Sequence, residues 1–87
     1  MSRVETTDLE CMATAEAKAE GLFQLGLLCA SGDRGPVDRV AAHKWFNIAA
    51  MRGYPDAVFL RHQIAEEMSA TEIATAQRAA RQWLTGH

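Results

Sequence analysis

The residues in this 87-residue chain best suited to nucleophilic, proton-transfer or metal chemistry are His43, His62, His87, Cys11 and Cys29. Their spacing does not assemble them. There is no H-x-x-x-H and no C-x-x-C, so a zinc site has no support. His62 and Glu66 stand four apart, which on a helix makes either an acid–base pair or an exposed ion pair, and the ion pair is the simpler reading. Lys44, beside His43, is expected to face solvent, because Trp45 and Phe46 take the inner face. Gly32-Asp33-Arg34-Gly35 lacks the lysine and the preceding strand of a phosphate loop, and Asp33 would repel a phosphate. No serine sits in a nucleophile-elbow pattern. Cys11 and Cys29 on a single helix would lie about 27 Å apart, too far for a disulfide. They read as small apolar residues in a reducing compartment. The expectation is therefore no catalytic residue, no cofactor and no metal. A small enzyme or redox protein using Cys29 or His62 is the least favoured function.

The elements that would position these residues are helices. The composition, 48% hydrophobic and 23% charged, is that of a folded chain rather than a disordered one. The net charge of −2 and the lack of a basic stripe argue against nucleic acid, and no polybasic segment addresses an anionic membrane. The first twenty residues carry five acidic side chains and no apolar signal core, and no run approaches the ~20 residues of a membrane span. A cytoplasmic location is expected. Thr7 and Glu10 form a capping box, and the absence of proline from 8 to 31 predicts one helix ended by Gly32. Asp38 caps a second helix over about 39–52. Pro55 opens a third running to about Glu67. Ser69 and Glu72 form a second capping box that opens a fourth, over 70–84. Trp45 and Trp83 fall on apolar stripes, as core residues rather than ligand platforms. No linker divides the chain, so residues 1–87 read as one domain. Met1 and the cap-like last helix favour a complete small protein.

An internal echo runs through this pattern. Gly21-Leu22-Phe23-Gln24 and Ala57-Val58-Phe59-Leu60 are offset by 36 residues, and Leu9 and Ala13 stand at the same offset from Trp45 and Ala49. Two helices per period of this length is the mark of an α-solenoid. Over residues 19–60 the pattern resembles the Sel-one-like repeat family, relatives of the tetratricopeptide repeats, in the bacterial style. The matching positions are Leu25-Gly26, Leu28 and Gly32, then Asp38, Ala42, Trp45, Phe46, Ala49, Ala50 and Gly53, with Ala57 opening the next unit. The resemblance implies an all-α fold, a short solenoid of antiparallel helix pairs with about four helices. It would comprise one full repeat, a degenerate second repeat and a C-terminal capping helix. Gly26 and Ala49 would let helices approach closely, and Trp45 and Phe46 would fill the space between pairs. The chain departs from the family at Arg34-Gly35 in the turn, at Cys29 where a tyrosine is usual, and at Arg61 where a leucine is usual. Cys11 and Cys29 also do not fit the cysteine pairing of secreted members.

One stretch exceeds what packing within a single repeat needs. Leu22 to Cys29 has only Gln24 as a polar side chain, and a helix apolar all round is buried all round. The cover could be the acidic segment 3–16, a second copy of the chain, or another protein. A non-catalytic adaptor or scaffold is expected, binding a protein partner through the inner face of the first and third helices. Phe23, Gln24, Leu27, Ser31, Leu60 and Gln63 are the contact candidates. The alternative is a homodimer formed through the same apolar face.

Overall fold

The structure, a computed structural model, describes residues 18–33 and 35–86. Among these residues it is all-helical: α1 (Ala19–Ser31), α2 (Arg39–Met51), α3 (Pro55–Ala65) and α4 (Ala70–Gly86), with no strand.

The predicted local signals place most helix ends. Asp38 precedes α2 with an extended backbone, and its Oδ1 accepts a hydrogen bond from the Ala41 N–H at 3.0 Å, satisfying one of the free donors of the first turn. Pro55 stands at the start of α3, where its missing N–H costs nothing, and Asp56 follows in the first turn. The capping box before α4 is reciprocal. Ser69 Oγ accepts from the Glu72 N–H at 3.1 Å, and Glu72 Oε1 accepts from the Ser69 N–H at 2.9 Å. Gly32 closes α1 with φ +77°. A Cβ there would also meet Val37 Cγ2 at 3.1 Å and the Gly35 carbonyl oxygen at 3.3 Å, so both backbone conformation and space select glycine. The Asp38 N–H donates to the Cys29 carbonyl at 2.9 Å, which ties the α1–α2 turn to the end of α1.

Three helix ends depart from expectation. Lys18 is extended (φ −80°, ψ 156°), so α1 begins at Ala19 and does not continue a helix from Thr7. The first buried residue of α1 is Leu22, one turn further on, so the helix starts where its packing starts. The Thr7–Glu10 capping box and Cys11 lie outside the described residues. At the other end, α4 runs to Gly86, two residues beyond Leu84, and α3 stops at Ala65.

α2 is the hub. It packs extensively against α1, α3 and α4, while those three touch one another only weakly. The consequence is visible along α2, which buries Ala42, His43, Phe46, Ile48 and Ala49 rather than one stripe. Phe46, Leu22 and Ile48 are the largest fully buried side chains, each contributing about 1.5–3 kcal/mol of apolar burial. At Gly26, α1 comes so close to α2 that a Cβ would lie 2.5 Å from Cε1 of Phe46. On its other side α2 meets α4, where Ala80 joins the core and Trp45 and Trp83 pack edge to face, with centroids 5.7 Å apart and planes at 82°.

Candidate functional site

Because α1 and α3 both lean on α2 without closing on each other, an open groove remains between them. Its volume is about 390 Å³. Leu27 and Ala30 of α1, Phe46 of α2, and Leu60 and Ile64 of α3 line it, with Val37 from the turn. Arg39, Gln63, Glu66 and Glu67 supply its polar lining, and the Arg39 Nε donates to Glu67 Oε1 at 3.0 Å, linking the start of α2 to the end of α3. Both side chains are well exposed, so this pair adds little stability.

The structure brings three of the six sequence-predicted contact residues, Leu27, Leu60 and Gln63, to this groove. Gln24 is exposed on α1 but does not line it. Ser31 caps its own helix end: its hydroxyl donates to the Leu28 carbonyl at 3.3 Å and accepts from the Asp33 N–H at 3.2 Å. Phe23 is buried, 8% exposed, with its ring 4.6 Å from Tyr54 and 5.7 Å from Phe46. It is a core residue holding the α2–α3 turn to α1, and it offers no surface to a partner. Val37, Ile64, Arg39 and Glu67 were missed, although Ile64 lies four residues after Leu60 on the same face of α3.

The 36-residue echo does not carry the same burial. Leu22 and Phe23 are buried, whereas their counterparts Val58 and Phe59 are 40% and 63% exposed. Tyr54 covers Phe23, and among the described residues nothing equivalent covers Phe59.

A second cleft, of about 490 Å³, opens where α3 and α4 stand apart on α2. His43, Asn47, Arg61, His62, Glu66 and Gln77 give it a polar lining. Arg61, which interrupts the expected leucine pattern, is half-buried and donates from Nη1 to Asn47 Oδ1 at 2.8 Å. Its Nη2 lies 3.5 Å from Nε2 of His62, so His62 faces Arg61 rather than forming the ion pair expected with Glu66. His43 is 3% exposed, and its Nδ1 is buried with no hydrogen-bond partner. That side chain was also missed. Its position three before Phe46 and seven before Ala50 puts it on the inner face, a signal the sequence carried.

Burial pushes the His43 imidazole below the ordinary histidine range, and the positive field of Arg61 adds to the effect. The unfolded chain then takes up a proton near the ordinary value of about 6.5 while the folded chain resists it. Stability is therefore intact above about pH 6.5 and falls as the pH drops below it, by up to about 1.4 kcal/mol per unit until His43 itself protonates. Urea unfolding at about pH 7.5 and about pH 5.5 should show this loss, and His43→Gln should flatten it. An unchanged profile in the variant would remove His43 as the cause.

The remaining chemistry-bearing residues are placed as follows. Lys44 does not face solvent freely: it is half-buried with its Nζ 4.0 Å over the Trp45 ring, and burial lowers its pKa. Burial, with Asp38 nearby, pushes the Cys29 thiol up, the opposite of what a nucleophilic thiolate needs. Among the described residues no three metal-ligating side chains gather, and no helix is long and apolar enough to cross a membrane. Compared with protein-family models, curated proteins and solved structures, the chain gives no match.

Proposed function

We propose that this chain is a non-catalytic protein-interaction module, an adaptor or scaffold that takes a partner's apolar segment into the α1–α3 groove. The observation that carries this reading is the groove itself: Leu27, Leu60, Ile64 and Phe46 meet there beneath the polar side chains of Arg39, Gln63 and Glu67. An apolar floor with a polar edge is the usual anatomy of a protein-binding surface. The finer architecture belongs to the same proposal. α1 and α2 form one Sel-one-like repeat, α3 opens a degenerate second unit, and α4 caps the stack in a short bacterial-type solenoid working in the cytoplasm. The Leu25-Gly26 and Trp45-Phe46 patterns support it, as does the packing of Gly26 on Phe46.

A second reading, a homodimer, draws on a separate observation. Phe59 and Met51 are 63% and 64% exposed, large apolar surfaces of the kind that a second copy would cover.

A photo-crosslinking residue at Gln63, compared with one at exposed Gln82 of α4, tests both readings in cells that make the protein. The proposal expects a discrete adduct with a different protein from Gln63 only. It also expects that Leu27→Asp abolishes this adduct with helix content unchanged. An adduct of twice the chain mass, together with a dimer by light scattering, supports the homodimer. Equal adducts from both positions, or loss of helix content in Leu27→Asp, would overturn the groove as a contact site.

A further inference from the structure

α3 carries apolar side chains on opposed faces. Ala57, fully buried, and Ile64 belong to the core that α3 shares with α2. Phe59 follows Ala57 by two positions, about 200° around the helix, and is 63% exposed. A helix apolar on both faces stays incompletely buried while only one of them is covered. The polar side chains around Phe59 have a definite order. Asp56 stands three residues before it and His62 three after, and Pro55 and Gln63 stand four before and four after, all of them exposed. These offsets keep the five residues on one side of the helix.

We propose that this outward side of α3 is a two-fold interface between copies of the chain, with the two helices antiparallel and Phe59 at the dyad. The proposal specifies the homodimer reading above and rests on it. Its argument is that the strip complements itself when reversed. About a two-fold axis at Phe59, each residue meets the one equally far from Phe59 on the other side. Asp56 then faces His62 of the second copy, and His62 faces its Asp56, so one favourable pairing is made twice. The imidazole can donate to the carboxylate from the ring nitrogen that does not lie against Arg61. Pro55 faces Gln63, and no like charges are brought opposite one another. Glu66, exposed at the end of the same side, lies beside the first turn of the second copy's α3, where a carboxylate is favoured. The apolar floor of the α1–α3 groove takes no part, so Leu27, Leu60 and Ile64 stay open to a different partner. One helix face is smaller than the ~800 Å² per partner of standard stable complexes, so dissociation in the range of about 10–100 μM is expected.

Sedimentation velocity on the full chain, from about 5 to 500 μM, reads this association directly. The chain is expected to pass from monomer to dimer within that range. Phe59→Asp should weaken the dimer at least about tenfold with helix content unchanged, because an exposed ring is lost from both copies. Leu27→Asp, in the groove, should leave the association as it is. Charge reversal reads the register. His62→Glu sets two carboxylates against the two Asp56 side chains and should weaken the dimer about fivefold or more. Adding Asp56→Lys should return the affinity to within about twofold of the unaltered chain, since opposite charges then face each other again. Both changes are at exposed positions and keep Phe59, so the interface is tested even if Phe59→Asp unfolds. A monomer at every concentration would overturn the homodimer reading and this interface with it. A dimer that survives Phe59→Asp, or a His62→Glu loss that Asp56→Lys does not rescue, would overturn the α3 interface and leave a homodimer formed through another face.

Discussion

Phe46→Ala is expected to remove about 3–5 kcal/mol of stability, measured as a lower urea midpoint at an unchanged slope. A chain of this length has only about 4–13 kcal/mol to lose, so this one ring accounts for a large share of the total. The size of the effect follows from where the ring sits. Phe46 is 2% exposed, its ring contacts Phe23, and the backbone of α1 at Gly26 lies against its edge. It also lines the floor of the α1–α3 groove. Truncation would leave a cavity bounded by two helices that Gly26 already holds at close approach, so the walls have little freedom to collapse. A loss below about 1 kcal/mol would mean that α1 and α2 repack, and that the close approach is not what fixes their geometry.

The opposite change, filling the contact from the α1 side, should be nearly as damaging. Gly26→Val is expected to cost about 2–3 kcal/mol, although any residue other than proline improves on glycine for helix formation. The first added carbon alone would stand 2.5 Å from Cε1 and 2.6 Å from Cδ1 of Phe46. That ring cannot swing away, because Phe23 and the core around it occupy the space. Placing the same substitution in a Phe46→Leu background separates a steric clash from a general loss of fit. A smaller side chain opposite Gly26 should recover part of the loss, giving a coupling of at least about 0.5 kcal/mol in a double-mutant cycle. Strict additivity would show that the two positions do not meet.

The helix ends were legible because each rests on a few neighbouring residues. Asp38, Pro55 and the Ser69–Glu72 pair act within one turn, and the structure makes the bonds that their spacing implies. What could not be read was how the helices distribute their contacts. The apolar run Leu22–Cys29 predicts all-round burial for α1, whereas α2 is the helix packed against three neighbours. His43, Lys44 and Asn47 disguise this by interrupting its apolar pattern. His43 is buried despite its polarity, and Lys44 lays its chain over Trp45. Phe23 was misplaced for a related reason. Phe46 of α2 and the return of the chain at Tyr54 together cover it, contacts that no local pattern on α1 encodes. Arg61 looked like a defect in a repeat because pattern matching expects a leucine there. Its bond to Asn47 depends on α2 and α3 lying side by side, which no local pattern encodes.

The chain has two tryptophans and one tyrosine, and the fold sends them to opposite sides of α2. Trp45 and Trp83 face each other where α4 meets α2, and Tyr54 lies on Phe23 of α1. The protein thus carries two optical reporters that divide the molecule between them. Tryptophan emission is expected to follow the docking of α4, and tyrosine absorbance the detachment of α1. Coincident traces from the two would show that α2 transmits the loss of either neighbour to the other. Separated traces would show that the hub lets its neighbours go one at a time.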